Sequence, residues 1–179
     1  DLNGDGLPDI ATANGGSTVS VLLQGDWGSF TNRNDYATGS SPLAVAMGDL
    51  NGDGRLDLVT ANFWSNTVSV LLGNGDGTFG AKTDYGAGRG ASSVAIGDLN
   101  GDGRPDLVTA NSDTSTVSVL LGNGDGTFGT KTDFVTDFYP YCVAIGNLNG
   151  DGYPDLVVGA GFTVSVLLGT GSGSFGAKT

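Results

Sequence analysis

"DLNGDGRPD" (Asp98–Asp106) is one of four near-copies of a single nonapeptide in a chain of 179 residues. The others are "DLNGDGLPD" (Asp1–Asp9), "DLNGDGRLD" (Asp49–Asp57) and "NLNGDGYPD" (Asn147–Asp155), so successive copies start 48, 49 and 49 residues apart. Aligning them brings the rest of the chain into register. "VAMGDL", "VAIGDL" and "VAIGNL" lead into copies two to four. Each copy ends in "DIATAN", "DLVTAN", "DLVTAN" or "DLVVGA". "TVSVLL" follows every time, and then a glycine-rich joint such as "GNGDGTF" (Gly73–Phe79). A fixed period of this length marks a stacked or radial repeat architecture. The units run 1–42, 43–91, 92–140 and 141–179.

Within one unit the pattern predicts four short strands. In the third unit these are Ser93–Leu99, Asp106–Ala110, Thr116–Gly122 and Thr127–Phe134. Val117, Val119 and Leu121 alternate with Thr116, Ser118 and Leu120, the period of a strand with one buried face. "GNGDGTF" reads as the hairpin loop between the third and fourth strands. All 19 acidic residues are aspartate, and glycine contributes 33 residues. Both favour turns over helices. Four-stranded units repeated radially make an all-β fold, a β-propeller. The small Ala44, Ala46, Ala95 and Ala144 suit first strands crowded around its axis.

In the nonapeptide, Asp98, Asn100, Asp102 and Asp106 set side-chain oxygens at positions 1, 3, 5 and 9, with Gly103 at position 6 permitting a sharp turn. Three carboxylates this close repel unless a cation neutralises them. Calcium takes six to eight oxygens in flexible geometry, and the Arg104 carbonyl at position 7 is a further donor. Zinc and copper lack their soft ligands here; magnesium, with its stricter octahedron, is the alternative. An EF-hand would need glutamate at position 12, where Thr12, Thr60, Thr109 and Val158 stand instead.

"VAIGDLNGDGRPDLV" followed by "TVSVLLGNGDGTF" resembles the FG-GAP (VCBS-type) repeat, the blade of integrin α-subunit propellers. The resemblance spans essentially the whole chain. It implies calcium, up to four ions, held in the loop between the first and second strands of each blade. The ligands carried over are Asp1, Asn3, Asp5 and Asp9; Asp49, Asn51, Asp53 and Asp57; Asp98, Asn100, Asp102 and Asp106; and Asn147, Asn149, Asp151 and Asp155. The position-7 carbonyls of Leu7, Arg55, Arg104 and Tyr153 complete the sets. Asn147 replaces a charged ligand with a neutral amide, so the fourth site is expected to be the weakest. Four calcium ions would move the net charge from −12 to −4.

With acids outnumbering bases 19 to 7, a nucleic-acid partner is excluded by phosphate repulsion. No apolar run approaches the ~20 residues that span a bilayer, so membrane insertion is not expected. No secretory leader is visible, and the sequence reads as a mature chain or a fragment. Cys142, the one cysteine, excludes an internal disulfide and reads as a small buried residue. There is no histidine or glutamate. General acid–base and nucleophilic chemistry is therefore thinly provided, and the chain is expected not to be an enzyme. The remaining aspartates (Asp26, Asp35, Asp76, Asp84, Asp113, Asp125, Asp133 and Asp137) read as turn residues.

The calcium loops should lie on one face of the propeller, with Trp27 beside them. The loops after the second and fourth strands should lie on the other, and these differ most between repeats. Phe63, Trp64, Phe138, Tyr139 and Tyr141 are candidate ligand contacts there, as platforms for a sugar ring or as packing between blades. The first expectation is thus a calcium-stabilised extracellular or cell-surface recognition module of adhesion or lectin type, partnered by a glycan or an extracellular protein. The alternatives are a structural spacer or assembly subunit, or an accessory domain of a polysaccharide-active enzyme. The unit count leaves three arrangements open: part of a longer chain, self-assembly that completes the propeller, or a strained four-bladed ring.

Overall fold

The computed structural model describes residues 1–30 and 32–179. Thr31, which opens the fourth-strand segment of the first repeat, lies outside the described residues. Among the described residues fourteen strands form four antiparallel sheets. The first holds β1 (Ile10–Asn14), β2 (Thr18–Leu23) and β3 (Asn32–Ala37). The second holds β4 (Pro42–Gly48), β5 (Asp57–Asn62), β6 (Thr67–Leu71) and β7 (Thr83–Gly86). The third holds β8 (Ala91–Gly97), β9 (Asp106–Asn111), β10 (Thr116–Leu120) and β11 (Thr132–Val135). The fourth holds β12 (Pro140–Gly146), β13 (Asp155–Ala160) and β14 (Thr163–Leu167). Each sheet is a meander in chain order, the blade of a β-propeller. A 3-10 turn at Asp26–Gly28 is the one helical element among the described residues. No helix there is long and apolar enough to cross a membrane.

First strands of consecutive blades touch, β4 with β8 and β8 with β12, and β4 also meets β1, the second strand of the first blade. This is the crowded inner ring that the alanines anticipate. Three apolar cores sit between consecutive blades. One joins Val19 and Val21 to Leu58, Leu71 and Phe79. The next joins Val59, Val68 and Val70 to Leu107, Leu120 and Phe128. The last joins Val108, Val117 and Val119 to Leu156, Leu167 and Phe175. Each is closed by one edge-to-face aromatic pair, Tyr36–Phe79, Tyr85–Phe128 and Phe134–Phe175, with centroids 5.3–5.4 Å apart. Among the described residues no such core joins the fourth blade to the first. Ile10 and Val164 are exposed there, while their counterparts Leu58 and Val117 are fully buried. The four blades form an arc rather than a closed four-bladed ring.

Three expectations need correction. The third strand is not half-buried: Val117, Ser118, Val119 and Leu120 of β10 are all buried while Leu121 is exposed, and β5 and β9 beside such strands are buried throughout, because a neighbouring blade covers each face. The fourth strand does not run Thr127–Phe134. β11 starts at Thr132, and Phe128 leaves the sheet, held by a single bridge to Gly122, so that its ring enters the preceding blade interface. Cys142 is exposed rather than buried. It lies on β12 of the last blade, against which the described residues pack from one side only.

Burying both faces brings threonine and serine inside, and they need partners. Asn62 and Asn111 supply them. Asn111 Nδ2 donates to Thr116 Oγ1 (3.2 Å) and Ser118 Oγ (2.8 Å), while Thr109 Oγ1 donates to Asn111 Oδ1 (3.0 Å). Ser118 then donates to Asp133, which pairs with Lys131. No buried side-chain polar atom among the described residues lacks a partner. The amide fills its niche: a Cβ on Gly88 would lie 2.5 Å from Asn111 Cγ. Gly88→Ala should therefore cost about 1–3 kcal/mol by overpacking. The double variant with Asn111→Ala should be no less stable than Asn111→Ala alone. Urea unfolding of the four proteins in the cycle checks the coupling.

Candidate functional site

The nonapeptides form four tight bends, each leading into the second strand of its blade, built alike from backbone amides. In the second blade, Asp49 Oδ1 accepts from Gly52 N (2.8 Å) and Asp53 N (3.2 Å), and Oδ2 from Gly54 N (2.8 Å). Asn51 Oδ1 accepts from Asp53 N, its Nδ2 donates to Asp53 Oδ2, and Asp53 Oδ1 accepts from Arg55 N. Gly52 and Gly54 stand at φ 75° and 80°, the left-handed backbone the bend requires. The first and third bends repeat these bonds. In the fourth, Asn147 Oδ1 accepts from Gly150 N (2.8 Å), and no counterpart of the Gly54 N bond is found, because an amide has one acceptor oxygen.

Position 9 behaves differently from the others. Asp57 and Asp106 are fully buried. Asp57 Oδ2 accepts from Leu50 N and its Oδ1 from Gly73 N, both 2.8 Å. The carboxylate thus clamps its own bend to the end of the third strand. Burial pushes the Asp57 and Asp106 carboxyls up from their usual range, and the negative charges of Asp53 and Asp49, or Asp102 and Asp98, push the same way. Asp155 is instead held below its usual value by N–H bonds from Gly169 and Leu148; its bend carries the neutral Asn147 at position 1.

Among the described residues no three His, Cys, Asp or Glu side chains converge closely enough to hold a metal ion. The bends are closed by their own N–H groups. Their side-chain donors are nevertheless all hard oxygens; Asp49 Oδ1 already accepts two hydrogen bonds, but Asp49 Oδ2 and both Asp53 oxygens accept one each and keep a second lone pair. That chemistry fits calcium or magnesium and does not fit zinc or copper.

The hairpin loops between third and fourth strands share the face of the bends. Gly77 N donates to Leu2 O, and Gly75 packs on the Arg55 side chain. Trp27 is fully exposed on its own hairpin. On the opposite face, each incoming connection bonds to a second-to-third-strand hairpin: Trp64 N donates to Ser40 O, Asp113 N to Arg89 O and Gly161 N to Tyr139 O. Trp64, Phe138, Tyr139 and Tyr141 are all more than half exposed there. Among the described residues none of them is buried between two blades; Tyr141 lies on β12 with its ring against Gly159 of the neighbouring strand. Phe63 is half-buried, its ring edge-to-face with Trp64 at 5.0 Å. The sequence-picked aromatics therefore divide into a pair on the second blade and a group on the fourth.

A model of the FG-GAP-like repeat matches residues 1–60, 49–109 and 98–158. The chain belongs to the FG-GAP-like repeat family. No curated protein sequence matches it. The solved structures that share its fold include these three. One is an Agrocybe aegerita lectin, described in specific recognition of non-reducing terminal N-acetylglucosamine, with 28% identity and a TM-score of 0.69 over all of this chain and 50% of that one. BBS1N, described in complex with ARL6DN, has 10% identity and a TM-score of 0.66 over 98% of this chain and 52% of that one. The V. cholerae biofilm matrix protein Bap1 has 21% identity and a TM-score of 0.62 over 98% of this chain and 26% of that one. The chain thus spans about half the length of the first two and about a quarter of the third.

Two residues of the fourth FG-GAP blade escaped the sequence reading. Phe162 is fully exposed beside Phe138 and Tyr139. Asp137, read as a turn residue, accepts from Thr163 Oγ1 and Ser165 Oγ (both 3.0 Å) and pairs with Lys178. The signal was present in the repeat alignment: "AGFT" (Ala160–Thr163) is two residues shorter than "NFWSNT" (Asn62–Thr67).

Proposed function

We propose that this chain is a calcium-stabilised recognition module that binds carbohydrate through the propeller face opposite its acidic bends. The observation that carries the reading is the set of exposed aromatics on that face, Trp64, Phe138 and Tyr139, in contrast to Phe79, Phe128 and Phe175, whose rings are buried between blades. Aromatic faces ringed by polar groups suit the apolar faces of sugar rings. The 28% identity to a lectin supports the same reading.

Calcium would be held by the side-chain oxygens at positions 1, 3, 5 and 9 of each bend with the position-7 carbonyls, and more weakly in the fourth, where Asn147 brings no charge. Its part is structural: it would neutralise carboxylates that now repel one another. The protein's own residues do the recognising, so the proposed activity is binding without turnover. An extracellular or surface location accords with plentiful calcium and with the biofilm-matrix relative.

A glycan array tests this. The chain is expected to give a reproducible signal that falls by about tenfold or more in Trp64→Ala or in Tyr139→Ala. Absence of a signal from the folded wild-type chain would overturn the carbohydrate reading in favour of a structural spacer.

A further inference from the structure

One tetrapeptide, "NGDG", occurs six times in the chain. Four copies lie in the nonapeptides, at 3–6, 51–54, 100–103 and 149–152, and two in third-to-fourth-strand hairpins, at 74–77 and 123–126. In the second and third blades the bend and hairpin copies share one backbone, with their glycines at φ 75–82°. What differs is the residue two places before the asparagine. It is Asp49 or Asp98 in the bends and Leu72 or Leu121 in the hairpins.

Asparagine before glycine is a chemically labile pair, because no Cβ keeps the following backbone nitrogen from the asparagine Cγ. In the bends that nitrogen is engaged. Gly52 N donates to Asp49 Oδ1 at 2.8 Å, and Gly101 N to Asp98 Oδ1 at 2.7 Å. The side-chain amide is held as well. Asn51 bonds to Asp53 through both Oδ1 and Nδ2, and Asn100 bonds to Asp102 in the same way. The hairpins lack both restraints. Among the described residues Gly75 N and Gly124 N meet no acceptor. Asn74 and Asn123 are exposed, and their side chains are tied only at Nδ2, to Thr78 and Thr127 Oγ1 at 2.9 Å.

We infer that Asn74 and Asn123 are modification sites that deamidate to aspartate and isoaspartate, and that the position-1 carboxylate shields the same tetrapeptide in the bends. Gly75 N gives its proton to solvent and bonds to Asn74 Cγ. The Cγ–Nδ2 bond breaks, and the nitrogen leaves as ammonia. Water then opens the succinimide ring at either carbonyl. In a bend the first step is suppressed, since an N–H donated to an anion holds its proton more tightly. Each event removes the donor to Thr78 or Thr127 and adds a negative charge to the face that carries the acidic bends. Opening to isoaspartate also inserts a methylene into the main chain. In the second blade it does so just before Gly77, whose N–H donates to Leu2 O in the first-blade bend. The modification thus acts on the contact between a hairpin and the neighbouring bend. It requires neither sugar nor metal.

Peptide mapping by mass spectrometry, on the full chain aged in neutral calcium-containing buffer, tests the assignment. Asn74 and Asn123 are expected to convert about tenfold or more faster than Asn51 and Asn100. In Asp49→Ala, Asn51 should speed up by about tenfold while Asn100 does not change. Asp49→Asn keeps one oxygen for Gly52 N, as Asn147 does for Gly150 N, and should leave Asn51 slow. That variant separates shielding by the hydrogen bond from any effect of charge or metal. Asn100 in the same chain reports whether a variant stays folded; should it rise too, Asp49→Asn and the wild-type rates decide. Equal rates at all four asparagines in the folded wild type would overturn the inference. So would hairpin sites that stay intact while the urea-unfolded chain deamidates. Asn51 remaining slow in Asp49→Ala would overturn the shielding role of position 1.

Discussion

In excess chelator the chain is expected to melt on the order of 15 °C or more below its melting temperature in millimolar calcium. A ligand bound only by the folded state stabilises it by about 2.7 kcal/mol per site when present at a hundredfold over its Kd. For a chain of this length each kcal/mol moves the transition by about 2–4 °C. Three bends carry aspartate at positions 1, 5 and 9, and the fourth, with Asn147, should add least. The size of the effect follows from the structure of the bends. Each gathers its carboxylates within nine residues, and Asp57 and Asp106 already bear the repulsion of two neighbours on top of burial. Without metal those charges oppose the closed bend; with metal they hold it. Magnesium should restore less of the lost stability, since it demands a stricter octahedron. Differential scanning calorimetry in calcium, magnesium and chelator reads all three states. Coincident melting curves would remove calcium from the account of this fold.

The repeat, its period and the blade were legible in the sequence because they are local. "DLNGDGRPD" fixes the bend through its own glycines and amides, and "TVSVLL" fixes a strand through alternation. What escaped notice depends on contacts between residues one repeat apart. Nothing in "TFGTKTDF" says that Phe128 must leave the sheet; its reason is Tyr85 on the preceding blade. The full burial of "DLVTAN" comes from neighbours on two sides, which a period-two pattern does not record. Position 9 of the nonapeptide reads as a cation ligand like the rest; the bond that Asp57 also accepts from Gly73 N, sixteen residues away, is a second role that the motif alone does not record. The candidate aromatic face is half legible: Trp64, Phe138 and Tyr139 stand out in the sequence, whereas the edge-to-face seat of Phe63 on Trp64 depends on how the hairpin folds.

Asp57→Ala should be among the most damaging single substitutions, even with no metal present. The buried carboxylate accepts from Leu50 N and Gly73 N at 2.8 Å each. Alanine would strand both N–H groups away from water, at about 1–3 kcal/mol apiece, and leave a small void as well. A loss of about 3–5 kcal/mol is expected from urea unfolding in excess chelator, where metal contributes nothing. Asp53→Ala is the contrast. Asp53 is exposed and bonds only within its own bend, to Arg55 N and Asn51 Nδ2. It should cost under about 1 kcal/mol in chelator but most of the calcium-dependent stabilisation of its blade. Asp57→Asn keeps one acceptor oxygen and should fall between them. The two aspartates, four residues apart in one motif, would then separate two roles. One braces the blade whether or not the ion is bound, and the other matters only with the ion. Equal losses for Asp57→Ala and Asp53→Ala in chelator would mean that the brace contributes nothing of its own and that position 9 is simply another ligand.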